Sequence, residues 1–540
     1  MTLNVAGLAV VAAFYLIILG TSIWASRLSK KRVGDGILLA GRNINLLVGI
    51  CTLTATWVGG GFILGIAEAT YNPTLGAVWA LVPLPYALTF FSGGFFFAKP
   101  MRENKYVTML DPFQQKYGNL LASALIFPAL IADVLWVART LVSVGATMSV
   151  ILDISYVYSI IIASVVAIVY TILGGFYSVA YTEVIQLILI FISLWLCVPF
   201  ALTNPHSLDI SLTAYNQIFQ APWVGTVEPH EAGKWFDNFM VLALGGLAYQ
   251  ALYQRILSAS SYTQAQVICF ASSAFCLVLG IPPILIGAVA ASTDWNSTSY
   301  GLPTPYECGE ASSIFPITLR YLTPTFVSFI GIGAVTAAVM SSMNSALLSS
   351  ASMFSSNVYK NIIRKQASDR EMQWVIRISV VVVGLTGTGL TFLDNSVLVF
   401  WLVGSDMSFT IMFPQLVCIL FFKVSNGYGA SLGFLVGITL RILSGEPLFG
   451  LPPVICYGCQ LNDEGTLTQF FPFRTAIMIT SLLSVLLFSW LAAFLFNQGL
   501  LSEKWDVFKV KPKENVYEDR KAGGNNTEAP VSVQLLESTV

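Results

Sequence analysis

Apolar residues fall in thirteen long runs separated by shorter polar connections, from near the start of the chain to about Asn497. Each run holds roughly 20 residues, the length that an α-helix needs to cross the hydrocarbon core of a bilayer. The pattern therefore predicts an all-α polytopic membrane protein with thirteen transmembrane helices. The predicted spans are 4–25, 44–70, 74–98, 119–148, 155–174, 180–203, 235–257, 263–290, 324–357, 375–393, 395–422, 426–444 and 474–497.

The number of charged residues agrees with a membrane protein, and their distribution predicts the orientation of the chain in the membrane. Only 10% of the residues are charged, whereas a soluble domain carries about 25%. Most of the 27 Lys and Arg residues lie in alternate connections, which marks those connections as cytoplasmic. The N-terminus is then extracellular and the C-terminal tail cytoplasmic. Asn296 opens a glycosylation acceptor pattern, Asn-Ser-Thr, in a connection that the charge rule places outside. The formal net charge of −1 gives no reason to expect nucleic acid as a partner.

Ten of the spans form two sets of five, at 44–203 and 235–422. Because five is odd, the second set must cross the membrane in the opposite sense to the first, as in inverted-repeat carriers. The remaining segments are 1–43 (an extracellular end, an anchor helix and a cytoplasmic loop), 204–234 (an extracellular loop), 423–502 (two further helices) and 503–540 (a disordered cytoplasmic tail).

Glycines interrupt the first span of each set. Three glycines, at 59–61, lie in the first, and Gly245 and Gly246 lie at the corresponding depth of the second. Each costs a helix about 1 kcal/mol relative to alanine, so both helices are predicted to unwind there. Close packing of neighbouring helices is the alternative explanation for a single pair of glycines. The matched positions favour the breaks.

Aromatic residues lie near both predicted breaks. Trp57 precedes the first glycines and Tyr249 follows the second pair, while Tyr86 and Trp136 lie in neighbouring spans. A quaternary ammonium donates no hydrogen bond, so aromatic ring faces bind it best, at about 0.5 to 2 kcal/mol per ring. The four rings could form such a cage. The alternative is that they belong to the core or to the interfacial belt.

Three acidic residues, Asp133, Asp237 and Asp406, lie within or at the ends of spans, where an unpaired charge is costly. Asp133 lies three positions before Trp136 and could attract a cation. It could equally be paired with a basic residue such as Arg139.

Hydroxyl groups in the 324–357 span could bind an ion, since Ser341 and Ser342 offer the oxygen ligands that sodium requires. Packed membrane helices also use such residues, which is the alternative explanation.

The two histidines, His206 and His230, lie in the 204–234 loop. No histidine-based catalytic centre is therefore expected in the membrane, and the chain is not predicted to be an enzyme.

Three cysteines are predicted to be extracellular, Cys308, Cys456 and Cys459. They allow one disulfide whose pairing stays open.

Several segments resemble the sodium/solute symporter family, and within it the branch that carries choline. They are Thr54–Gly61, Phe97–Arg102, Thr108–Gln115, Gly174–Glu183 and Ala337–Ser342. The resemblance implies a LeuT-like fold and sodium-coupled symport at the plasma membrane, with chloride also required. In neuronal relatives such a carrier supplies choline for acetylcholine synthesis and cycles with presynaptic vesicles.

The resemblance also implies roles for individual residues. The choline cage would be Trp57, Tyr86, Trp136 and Tyr249. The sodium ligands would be the carbonyls of Ala55, Val58 and Ala338 with the hydroxyls of Ser341 and Ser342. Two positions depart from the choline branch, because Tyr249 stands where tryptophan is expected and Asn344 where aspartate is expected.

Two other functions also fit the sequence. The carrier could prefer another small organic cation or amine, or the scaffold could serve as a solute-gated receptor or leak channel. The chain ends in Ser538-Thr539-Val540, which fits a ligand of PDZ-type domains. Sodium-dependent accumulation separates a carrier from a receptor or channel.

Overall fold

The computed structural model describes residues 5–29, 39–394, 396–461 and 467–511. The first nine residues of the tail predicted to be disordered, 503–511, are described and contain a 3₁₀ turn, Glu503–Trp505, and a contact of Phe508 with Tyr428 at 4.8 Å. The rest of the tail and its PDZ-type ending lie outside the described residues. The main helices are α1 (Val5–Ser29), α2 (Leu46–Trp57), α3 (Gly60–Tyr71), α4 (Ala77–Glu103), α5 (Asp111–Tyr117), α6 (Asn119–Leu152), α7 (Tyr156–Leu202), α8 (Ala232–Gly245), α9 (Gln250–Ser258), α10 (Tyr262–Ala291), α11 (Ile314–Leu322), α12 (Thr325–Met353), α13 (Asp369–Leu390), α14 (Val397–Phe421), α15 (Gly427–Leu443) and α16 (Phe473–Asn497). Two short antiparallel strands, β1 (Cys459–Leu461) and β2 (Leu467–Gln469), form a hairpin.

The predicted helical membrane class is confirmed. In the described part of the chain, nine helical segments are long and apolar enough to cross a membrane, and the bent pair α2 and α3 makes a tenth. Apolar stretches of α1 and α15 are shorter, and α8 and α9 have only 14 and 9 residues. The count of thirteen spans therefore stays a prediction.

The first predicted break lies between α2 and α3, which meet at an angle of 49°. Val58 leaves helical geometry and Gly59 is extended, with ψ of −178°. A Cβ atom on Gly59 would lie only 1.9 Å from Ser342 Oγ. The glycine is therefore needed because the unwound backbone passes directly against α12.

The second predicted break lies between α8 and α9. A 3₁₀ turn at Gly246–Ala248 follows α8, and Tyr249 is extended before α9 begins. A Cβ atom on Gly246 would lie 2.6 Å from Thr89 Oγ1 in α4. Both helices thus unwind near their middle, and both breaks are packed against other helices.

The centre of the bundle is α12. Every residue from Val335 to Met353 is buried, as expected for a helix surrounded by others. It packs against α2, α6, α7 and α13. Its serines and its asparagine therefore face protein and not lipid.

Cysteine pairing is resolved by the structure. Cys456 and Cys459 form a disulfide at the β-hairpin, with Cα atoms 5.6 Å apart, a separation within the usual range for a disulfide. Cys308 is free and exposed.

Candidate substrate and sodium site

The four rings predicted to form the cage are brought together at the two breaks. The ring centroid of Trp57 lies 4.7 Å from Tyr86, 5.3 Å from Trp136 and 5.9 Å from Tyr249. Trp136 and Tyr249 are 5.1 Å apart. All four side chains are nearly fully buried, and the rings meet edge to face, the geometry that aromatic pairs favour.

More rings complete this cluster than the sequence analysis named. Phe90 lies 5.3 Å from Trp57, and Trp401 lies 5.4 Å from Tyr86, whose hydroxyl accepts a 2.5 Å hydrogen bond from Trp401 Nε1. Trp401 lies in the second turn of α14, a helix in which the sequence analysis had singled out only Asp406. No sequence signal set Trp401 apart from the other tryptophans.

The predicted sodium ligands lie beside the first break. Ala55, Val58, Ala338, Ser341 and Ser342 are all buried. Ser342 Oγ donates to the Thr56 carbonyl at 2.7 Å, which ties α12 to the end of α2. The last carbonyls of a helix lack partners within it, so the end of α2 can offer oxygen atoms to a cation next to the two serine hydroxyls.

Below the break, a buried ion pair joins four helices. Arg255 of α9 and Glu183 of α7 are fully buried, with Arg255 Nη2 3.2 Å from Glu183 Oε1. Ser345 of α12 donates to the same carboxylate at 2.6 Å, and Thr52 of α2 also donates to it. Arg255 lies near the end of the predicted 235–257 span, and the structure places it inside the bundle. Glu183 ends one of the family-like segments, which was the available signal for this pair.

Asp133 and Asn344 also contact neighbouring helices. Asp133 Oδ2 accepts hydrogen bonds from Ser349 and Ser350 of α12, at 2.7 and 2.9 Å. Among the described residues, no nitrogen of Arg139 lies within 4.0 Å of an Asp133 oxygen, but the two charges still interact electrostatically. Both interpretations of Asp133 therefore stay predictions. Asn344 Oδ1 accepts from Thr171 of α7 at 2.7 Å.

The other two acidic candidates lie in a separate network on the side of α15 and α16. Asp406 is paired with Arg441 at 2.6 Å and with Arg474 at 3.1 Å. Asp237 accepts from the Thr475 backbone and hydroxyl, both at 2.7 Å, and lies 3.7 Å from Arg474. These carboxylates are held by basic and hydroxyl groups and connect the last two helices to α8 and α14.

The candidate glycosylation residue lies at the surface. Asn296 is exposed in a 3₁₀ turn, Trp295–Ser297, between α10 and α11. The side chain is accessible, as modification requires.

Two broken helices that meet at a buried ring cluster, beside a hydroxyl-rich central helix, are the arrangement of a membrane carrier with its site near the middle of the bundle. Residues 37–437 match the sodium:solute symporter family, and the chain belongs to that family. It is a transporter and not an enzyme.

Curated relatives and solved structures agree. The chain is 49% identical to the high affinity choline transporter 1 of Homo sapiens over 514 residues, covering 94% of this chain and 89% of that protein. It is 44% identical to the high-affinity choline transporter 1 of Drosophila melanogaster, covering 99% of this chain and 86% of that protein. The fold is similar to that of a Na⁺-coupled sialic acid symporter in an outward-open state, with a TM-score of 0.71, 17% identity and coverage of 90% and 97% of the two chains.

Proposed function

We propose that this chain is a sodium-driven symporter that imports choline across the plasma membrane by alternating access. The observation that carries the proposal is the ring cluster of Trp57, Tyr86, Trp136 and Tyr249 at the two helix breaks. Aromatic faces are suited to a quaternary ammonium, and the names of the relatives point to the same substrate. Sodium is the coupling ion of the family.

Sodium binds beside the first break in this mechanism. The carbonyls of Ala55, Val58 and Ala338 and the hydroxyls of Ser341 and Ser342 coordinate it, which joins α2 to α12. Because Ser342 already contacts Thr56 across this interface, the ion strengthens a contact between two elements that move relative to each other. Inward movement of each positive charge through about 100 mV releases about 2.3 kcal/mol, and a cationic substrate adds its own charge.

The finer features of the carrier belong to the same proposal. We place thirteen spans in the membrane as two inverted sets of five plus three, with the N-terminus and a glycan on Asn296 outside and the tail inside. Chloride is required, as the family resemblance implies. In neurons the carrier would supply choline for acetylcholine synthesis and cycle with presynaptic vesicles, and its last residues would bind a PDZ-type domain.

Uptake of labelled choline tests the central claim. Cells expressing the chain should accumulate choline in sodium medium and should lose accumulation when lithium or a bulky organic cation replaces sodium. Trp57→Ala should abolish this uptake and Trp57→Phe should keep part of it. Trp490→Ala is a matched control, because this tryptophan lies on the outer surface of α16 with 56% exposure. Current or binding without accumulation would instead identify a receptor or channel.

A different organic cation is the second candidate substrate. Tyr249 provides a weaker ring face than tryptophan, which binds cations best, and Asn344 carries no charge where the choline branch has a carboxylate. Competition of labelled choline uptake by a series of small amines separates the candidates. An amine that competes at a concentration at least tenfold below that of choline would replace choline in the proposal.

A further inference from the structure

Two buried hydroxyl groups lie next to the ring cluster without a hydrogen bond of good geometry. The Tyr249 ring belongs to the cluster, 5.1 Å from Trp136, and its hydroxyl interacts with the side chains of Ser405 and Ser408 of α14. In the described part of the chain, neither Tyr249 Oη nor Ser408 Oγ makes a well-formed hydrogen bond, although Tyr249 is only 3% exposed and Ser408 is fully buried. Most buried polar groups in proteins are hydrogen-bonded. The two hydroxyls are therefore available to a ligand.

The shape of α14 brings both groups to the same place. A Cβ atom on Gly404 would lie 3.5 Å from Tyr249 Oη and 3.2 Å from Leu135 Cβ of α6, so Gly404 keeps the region beside the Tyr249 hydroxyl clear of a side chain. Ser408 follows Gly404 by four positions and therefore lies on nearly the same face of the helix. The helix changes to π geometry at Ser408–Met412, and such segments are frequent at functional sites. Gly404 and Ser408 thus border the hydroxyl end of Tyr249 together.

Two charged residues near Tyr249 offset each other. Asp133 and Arg139 of α6 each interact electrostatically with Tyr249, and they also interact with each other. Arg139 is hydrogen-bonded to the Tyr86 hydroxyl as well, while Asp133 accepts hydrogen bonds from two serines of α12. The region around the Tyr249 hydroxyl therefore carries little net charge. It suits a neutral hydroxyl group better than a second ion, which would need a charged partner of its own.

We propose that Tyr249 and Ser408 form a subsite that recognises a hydroxyl group of the substrate. The carrier then selects an ammonium ion whose hydroxyl lies two carbons from the nitrogen. The ammonium lies against the ring faces, and the substrate hydroxyl lies between Tyr249 Oη and Ser408 Oγ. Each of these three hydroxyls can both donate and accept, so the substrate can satisfy both groups of the protein at once. This inference rests on the proposed function, because it defines which ammonium ions the same site prefers.

The expected selectivity follows from the loss of hydrogen bonds. Choline has its hydroxyl two carbons from the ammonium, whereas propyltrimethylammonium has a methyl group at that position. The ring faces hold the two trimethylammonium groups alike. Propyltrimethylammonium, however, fills the subsite with a methyl group and leaves Tyr249 and Ser408 unpaired. A buried polar group that loses its partner in this way weakens binding about tenfold to 100-fold.

Competition measurements test this selectivity. Cells that express the chain take up labelled choline in sodium medium, and unlabelled choline or propyltrimethylammonium is added as the competitor. The wild-type chain should require at least tenfold more propyltrimethylammonium than choline for half-maximal inhibition. The quantity to compare among variants is this ratio, because a general loss of stability or surface level changes the uptake but not the preference between two competitors.

Tyr249→Phe and Ser408→Ala each remove one hydroxyl of the subsite. Both variants should lower the ratio at least threefold, mainly through weaker binding of choline, with propyltrimethylammonium bound as well as before or better. Tyr253→Phe is the matched control. Tyr253 lies one turn after Tyr249, is equally buried, and donates its hydroxyl to the Leu247 carbonyl at 2.7 Å. Its loss should leave the ratio at the wild-type value.

The subsite would be refuted if the two compounds inhibited wild-type uptake equally, or if the ratio stayed at its wild-type value in Tyr249→Phe or in Ser408→Ala. Sodium-driven choline uptake would be intact in either case. Failure of the proposed function would appear differently, as the absence of sodium-driven choline uptake by the wild-type chain. Should neither variant reach the cell surface, thermal stabilisation of purified wild-type protein by each compound decides the question. A half-maximal concentration at least tenfold lower for choline supports the subsite, and equal concentrations overturn it.

Discussion

The buried pair of Glu183 and Arg255 makes a quantitative prediction. Both side chains are fully buried, so loss of one partner leaves an uncompensated charge, which costs about 3 to 5 kcal/mol. At 1.4 kcal/mol for each factor of ten, that cost equals a change of about 100-fold to 4,000-fold in the population of the conformation that contains the pair. Glu183→Gln and Arg255→Met each keep the approximate volume and remove one charge.

The double variant should recover much of this loss, because it leaves no buried charge. A double-mutant cycle on purified protein, with stability followed by intrinsic fluorescence during thermal unfolding, isolates the coupling between the two residues. We expect a coupling energy of at least about 1.5 kcal/mol. Uptake should fall in both single variants, since the pair joins α7 and α9 to helices that hold the site.

A second ion pair of the chain serves as the control. Arg320 and Asp153 are 2.8 Å apart but 33% and 26% exposed, and their hydrogen bond raises the pKa of Arg320 above its usual range. Because solvent screens a partly exposed pair, its coupling should be only about 0 to 1 kcal/mol. Equal couplings for the two pairs, or additive losses in the Glu183 and Arg255 cycle, would refute the reasoning.

Three further predictions concern single positions. Gly59→Ala should abolish folding or uptake because its Cβ would lie 1.9 Å from Ser342 Oγ. Gly333→Ala should be tolerated because its Cβ meets open space. The surface level and the choline uptake of each variant test these two outcomes. Ser342→Ala removes the hydrogen bond to Thr56, worth about 1 kcal/mol, and should raise the sodium concentration for half-maximal uptake by about fivefold or more, while an unchanged sodium dependence would exclude Ser342 as a ligand. Asn296→Gln should remove any glycan and lower the apparent mass on a gel with uptake unchanged, and an identical mass would show that Asn296 is not modified.

Sequence reasoning reached the fold class and the rings because their signals are local. A long apolar run indicates that its helix lies in the membrane, and glycines in the middle of a run mark where the helix can unwind. Trp57 and Tyr249 are adjacent to those glycines, so their meeting follows from the breaks alone. The residues that the sequence left without a role are defined by distant contacts. Trp401 joins the cluster because α14 packs against α6 and its indole reaches Tyr86 of α4. Glu183 meets Arg255 across 72 positions of sequence.

Charged residues in the membrane were the hardest to interpret, since sequence shows a charge but not its partner. Asp133 and Arg139 lie six positions apart, and their pairing was one of two equal interpretations. In the structure Asp133 accepts hydrogen bonds from two serines of α12, and Arg139 stacks on two tryptophans. Asp237 and Asp406, which could have faced a substrate, are held by arginines near the last two helices.

A broken helix offers two opposite electrostatic ends at the same depth in the membrane. The end of α2 presents carbonyl oxygens and the start of α3 presents amide groups, because each half-helix carries partial charges at its ends. Sodium suits the first end, where Ser342 already contacts the Thr56 carbonyl. The side chain of Arg139 lies beside Gly61 at the second end and adds a fixed positive charge there. If the chloride of the proposed function is carried together with sodium and choline, the net charge moved in each cycle should be smaller by one than the number of cations bound. Simultaneous measurement of current and choline uptake in voltage-clamped cells would give that ratio directly, and a current equal to the full number of cations would exclude co-transport of chloride.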